Sequence, residues 1–124
     1  MNDKRPVNLD LTTIKFPVTA IASITHRITG VAIFVALPVL LWMMDRSLAS
    51  PESFADLKQL MTSPLAKLVL WAILAFISYH LVAGIRHLIM DAGVGETLEG
   101  GRRGATATFI ITAVLIVLAG AWVW

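Results

Sequence analysis

No cysteine occurs in the 124 residues, which excludes disulfides, thiolate zinc sites and iron–sulfur ligation by this chain. Any metal has to be held through imidazole or carboxylate. Charge is scarce as well: 15% of the residues are charged against 57% hydrophobic, and the formal net charge is only +2. A soluble domain carries about 25% charged residues, so this composition, with a mean hydropathy of +0.79, implies an integral membrane protein. The few basic residues are scattered among apolar stretches, which gives nucleic-acid binding no footing. Residues 1–15 lack both an apolar core and a small-residue cleavage site, so a secretory signal peptide is not expected and this segment stays with the mature chain.

What the chain does have is long apolar runs. The uncharged stretch 28–44 would rise about 25 Å as a helix, short of the roughly 30 Å hydrocarbon core. It therefore extends back through Ser23, His26 and Arg27, giving a first span over 22–44, with Pro17 suited to the first turn and a bend expected at Pro38. Residues 45–63 form a polar connector with room for a short amphipathic helix over 52–60. Ser63-Pro64 then has the form of an N-cap followed by proline at the first helical position. The second span covers 64–90; Lys67 snorkels to the interface, and 68–85 carries no formal charge when His80 is neutral. Residues 91–104, rich in glycine and charge, read as a loop that reverses the chain. A third span, 105–124, holds no ionisable side chain. The expected fold is all-α: one membrane domain, 1–124, of three transmembrane helices.

Three spans put residues 1–17 and the 91–104 loop on one side, and the 45–63 connector with the C-terminus on the other. Lys4, Arg5, Lys15, Arg27, Arg86, Arg102 and Arg103 fall on the first side, whereas Arg46, Lys58 and Lys67 fall on the second. The positive-inside rule makes the first side cytoplasmic. Trp42, Trp71, Trp122 and Trp124 then collect at the outer face, while Ser23, His26, Arg27, His80, Arg86, His87 and Asp91 collect in the inner half.

Ionisable groups in lipid need a reason. His80 reads either as a neutral histidine bonded to a neighbouring helix or as an axial haem ligand, because neutral imidazole binds iron well and a cofactor explains the burial. His87 shares a face with His80 but lies about 10 Å along the axis, so the two cannot clamp one iron. His26, on another helix, is a possible second ligand, but it adjoins Arg27, which suits a haem propionate better, so the second ligand is expected from another subunit. Ser23 and Arg27, four residues apart, offer a hydroxyl and a fixed positive charge to a carbonyl that gains negative charge on reduction; interfacial snorkelling is the plainer account of Arg27. Arg86 and His87 are explained by the helix dipole alone. Asp91 can cap or pair with either, and Tyr79 reads as packing.

Two separated signatures resemble a known family. The first is Arg5-Pro6-Val7 leading through Pro17 to Ser23-Ile24-Thr25-His26-Arg27-Ile28-Thr29. The second is His80, three residues, then Gly84-Ile85-Arg86-His87-Leu88-Ile89-Met90-Asp91. Their order and spacing are similar to those of the cytochrome b membrane-anchor subunits of succinate dehydrogenase, close to the enterobacterial type. That resemblance implies His80 as the haem b iron ligand, with the trans ligand from a second, similarly built anchor subunit. It implies Ser23 and Arg27 at a ubiquinone pocket, His26 and Arg27 near the haem propionates, and His87 near the haem edge in a less definite role. The implied partners are a flavoprotein carrying FAD, an iron–sulfur subunit, the second anchor and membrane lipid. The implied location is the bacterial inner membrane, with the N-terminus cytoplasmic and the C-terminus periplasmic. The rival readings are a fumarate reductase anchor running the chemistry in reverse, and a non-catalytic three-span assembly or transport protein.

Overall fold

The computed structural model describes residues 15–124; Lys4 and the Arg5-Pro6-Val7 part of the first signature lie outside the described residues. The described chain is all-helical, in the order α1 (Val18–Ala49), α2 (Pro51–Leu60), α3 (Pro64–Asp91) and α4 (Leu98–Val123). Helices α1, α3 and α4 are each long and apolar enough to cross a membrane. The chain is a multi-pass membrane protein.

Local chemistry sets most of the boundaries. The Pro17 carbonyl accepts from the amides of Ala20 and Ile21 at 3.0 and 3.2 Å and so starts α1 without a side-chain cap. The 32 residues of α1 rise about 48 Å, well beyond the hydrocarbon thickness. The helix accordingly runs past the expected end at 44, through Asp45 and Arg46, to Ala49. Pro38 lies within it. Ser50 then ends α1 and caps α2, its hydroxyl accepting from the Ser53 amide at 3.0 Å. The Ser53 hydroxyl reaches back to the Arg46 carbonyl at 2.7 Å, tying the connector to the helix it leaves. The expected Ser63-Pro64 start is present: Ser63 accepts from Ala66 N at 3.3 Å with Pro64 at the first position.

One expectation is corrected. The loop over 91–104 shrinks to a short turn after Asp91, in which Gly93 and Gly95 take φ of 89° and 73°, the left-handed region that glycine enters without a Cβ penalty. Residues 98–104 are the first two turns of α4 rather than loop. Thr97 caps them by accepting from Gly100 N at 3.0 Å, and the exposed Arg103–Glu99 pair at 2.6 Å lies along the helix surface. Glycine composition pointed to a loop, but here glycine serves close packing. Gly101 is buried, and a Cβ there would stand 3.5 Å from Thr19 of α1.

The interior is small and made of small residues. Ala22, Thr29, Ala83, Gly101, Ala105, Thr108, Thr112 and Gly120 are buried, together with Ile73 and Tyr79. The large side chains face outward, Phe34 at 75% and Val117 at 69% exposure. Such inversion of a soluble core is what lipid permits, since association in a bilayer relies on close backbone approach rather than on removing apolar area from water. Tyr79 joins all three spans: its hydroxyl donates to the Ala22 carbonyl of α1 at 2.6 Å, and its ring lies 5.5 Å from that of Phe109 in α4. Its packing role stands, with a buried polar bond added.

At the other end of the bundle, Trp71 of α3 donates its indole N–H to the Ile116 carbonyl of α4 at 2.8 Å. The same ring lies where a Cβ on Gly120 would stand, 3.0 Å from the nearest indole carbons. Lys67 extends to the final residue, its ammonium 5.3 Å from the Trp124 ring centroid. Gly120→Leu is expected to force α3 and α4 apart at a cost of about 1–3 kcal/mol. The cost should appear as a lower midpoint in denaturant unfolding of the solubilised protein, with Trp71→Phe, which removes one hydrogen bond, lowering it less.

Candidate functional site

The three histidines of the chain come together where α1 faces α3. On α3, Tyr79, His80, Ala83, Gly84 and His87 follow a helical repeat, and on α1, Ala22, His26, Thr29 and Gly30 do the same, so the two rows meet along one seam. The His26 ring stacks flat on that of His80, with centroids 4.1 Å apart and planes 5° from parallel. On its other side His26 lies 4.9 Å from the His87 ring, tilted by 36°. The gap of about 10 Å between His80 and His87 along α3 is thus filled by an imidazole from the neighbouring helix. Glycine permits this: a Cβ on Gly84 would stand 3.7 Å from His26 Nε2, and one on Gly30 only 3.0 Å from His80 Cε1.

Hydrogen bonding decides the tautomer of His80. Its Nδ1 lies 3.1 Å from the His26 carbonyl oxygen and 3.2 Å from Thr29 Oγ1. The Thr29 hydroxyl donates to the same carbonyl at 2.9 Å. With that hydrogen engaged, both neighbours of Nδ1 present lone pairs, so Nδ1 carries the proton and donates. The neutral ring keeps its in-plane lone pair on Nε2. His87 is set in a similar way, Nδ1 donating to the Ala83 carbonyl at 2.7 Å. His80 is therefore bonded to a neighbouring helix and, at the same time, available as a ligand through its other nitrogen.

Stacked imidazoles cannot chelate a common ion, because each lone pair lies in its own ring plane. Accordingly, no group of three or more histidine, aspartate or glutamate side chains poised around a metal occurs among the described residues. A group that needs one protein nitrogen per chain, as a haem with ligands from two chains does, is compatible with this donor set.

Ser23 and Arg27 are not part of the histidine seam. They lie one turn apart on the flank of α1, Ser23 half-buried and Arg27 exposed. Arg27 borders a shallow apolar depression with Ile28, Val31 and Ala32. Arg86, expected to answer to the helix dipole, instead links two helices. It is half-buried, donates from Nη2 to the Gly101 carbonyl of α4 at 3.3 Å, and lies against Gly104, where a Cβ would come within 3.2 Å of Nε. Asp91 is the exposed last residue of α3 and makes no ion pair among the described residues.

Thr29 carried no role in the sequence reading, although it sits in the first signature. The available signal was its spacing: a hydroxyl three residues after His26 can bond back to that residue's carbonyl and present its oxygen to a neighbouring helix. Which helix lies opposite is settled only by packing.

The chain matches the family model described as succinate dehydrogenase/fumarate reductase transmembrane subunit over residues 1–119. It is 47% identical to the succinate dehydrogenase cytochrome b556 subunit of Coxiella burnetii, over 100% of both chains. It is 34% identical to the protein of that name from Paracoccus denitrificans, across 92% of this chain and 88% of the relative. With the succinate dehydrogenase cytochrome b560 subunit of Reclinomonas americana it shares 35% identity over 80% of its own length and 72% of the relative's. On these matches, which run through both histidine-bearing spans, the chain belongs to the succinate dehydrogenase/fumarate reductase transmembrane subunit family.

Proposed function

We propose that the chain is the haem b anchor subunit of a succinate:quinone oxidoreductase and that His80 would hold the haem iron through Nε2. The observation that carries this is the pair of acceptors on His80 Nδ1, which leaves Nε2 as the free donor on a ring held from behind. When bound, haem b supplies a one-electron store within the membrane. His26 and Arg27, adjacent at the inner end of α1, supply positive or donor groups to the propionates, and His87 stands at the far side of His26. A second anchor subunit would supply the other nitrogen that the haem needs. The outward faces of the bundle leave room for one, since α1 is the least covered of the three spans.

Ser23 and Arg27 bind the ubiquinone headgroup. Ser23 donates to one carbonyl oxygen, and Arg27 stabilises the negative charge that grows there as electrons arrive from the iron–sulfur partner. The exposure of Arg27 beside an apolar depression suits a ligand entering from the bilayer. Succinate itself is oxidised in the flavoprotein partner. The relatives named above carry succinate dehydrogenase names, which favours that direction over fumarate reduction.

Three outcomes are expected. In the purified complex His80→Leu removes or alters the b-type band in the reduced-minus-oxidised spectrum; an unchanged band would exclude His80 as ligand. Arg27→Ala lowers quinone reduction by about 100-fold while succinate oxidation with an artificial acceptor persists, and equal loss of both rates would count against the quinone site. The third concerns orientation in the bacterial inner membrane, for which the chain's lack of cysteine makes single introduced thiols unambiguous reporters. With the N-terminus cytoplasmic, Asp56→Cys should react with a membrane-impermeant maleimide in cells whose outer membrane alone is opened, and Glu96→Cys should react only after lysis.

A further inference from the structure

Thr29 is one of the few polar residues buried in the bundle, 5% exposed, and beyond its contact with His80 Nδ1 nothing above says what its hydroxyl does for the ligand. Its hydroxyl is fixed twice. The backward bond to the His26 carbonyl at 2.9 Å orients the hydrogen along α1, and that leaves Oγ1 facing His80 Nδ1 at 3.2 Å. The carbonyl it bonds is the other acceptor of the same Nδ1–H, at 3.1 Å. A β-branched side chain in a helix has few rotamers, and this back-bond selects among them, so the lone pair is aimed before the ring is placed. Gly30, the next residue, keeps the space beside His80 Cε1 open.

We propose that Thr29 is the positioning residue for the His80 ligand: it holds the imidazole in the Nε2-donor tautomer and strengthens Nε2 as an electron-pair donor. This rests on His80 being the axial ligand. The physical reason is that an Nδ1–H shared with acceptors pushes electron density onto the ring, and a metal-bound histidine takes its orientation and donor strength from that outer partner. A stronger donor favours ferric over ferrous iron, so Thr29 holds the haem potential down. A lone carbonyl would hold the Nδ1–H vector less tightly than two acceptors on different atoms do.

The test is a redox titration of the haem band in the complete purified complex, with the ferric electron paramagnetic resonance spectrum as a second readout. Thr29→Val keeps the branched shape and removes the acceptor. It is expected to retain haem and to raise the ferrous-to-ferric ratio at a fixed ambient potential about tenfold, an upward shift of about 59 mV for one electron, with displaced ferric g-values. Thr29→Ser restores the hydroxyl and is expected to return both readouts to wild type. Should the valine variant fail to assemble, Thr29→Cys, with a sulfur that accepts only weakly, is expected to show the upward shift instead. A wild-type potential and ferric spectrum in whichever of these two variants assembles overturns the assignment. So does a shift that is equally large in Thr29→Ser. The two possible failures are separable: an unchanged b-type band in His80→Leu overturns the ligand itself, whereas a lost or altered band together with an unshifted Thr29→Val overturns only the role of Thr29.

Discussion

Two consecutive residues of α3 bond to the backbone of α1, and the histidine-bearing end of the bundle depends on that pairing. Tyr79 donates to the Ala22 carbonyl and His80 to the His26 carbonyl, so bonds from neighbouring positions on one helix land one turn apart on the other. In a membrane a buried donor has no water to turn to, and leaving either unsatisfied would cost several kcal/mol. The pair therefore sets the register of α1 against α3, and register in turn places His26 between His80 and His87. A slip of one turn would unmake both bonds and the stack together.

The opposite end is held by different means. Trp71 presses its indole on Gly120 and bonds Ile116, while Lys67 bends to Trp124. These contacts join α3 to α4, whereas the histidine seam joins α3 to α1, leaving α3 as the element both neighbours are measured against. Arg86 extends the α3–α4 junction to the histidine-bearing end through the Gly101 carbonyl. A cation there contributes to architecture as well as to charge bias, so the excess of basic residues on one side is partly built into the packing.

The seam also reconciles two accounts of His80 that looked like rivals. A structural histidine and a ligand histidine differ in which nitrogen is engaged, and an imidazole has two. Nδ1 serves the helix contact, and Nε2 is left for the proposed iron. The cost of placing a polar ring in lipid is met by the first bond, so the ring is already oriented before any cofactor arrives.

The number and helicity of the spans, the cap at Ser63-Pro64, the connector helix and the family signature were all legible in the residues, because each rests on local composition or on spacing within one helix. The start of α4 was not. Gly100, Gly101 and Gly104 carry the composition of a loop, and only the nearness of Thr19 and Arg86 gives them a reason to be helical. Nor were the insertion of His26 between two histidines of another helix, the partner of Arg86 or the aim of Thr29. Periodicity along a helix tells which side chains share a face, and that much the chain determined by itself. Which face meets which, and at what axial offset, was decided by contacts between helices, those of α1 with α3 joining residues more than fifty positions apart, Thr29 with His80 among them.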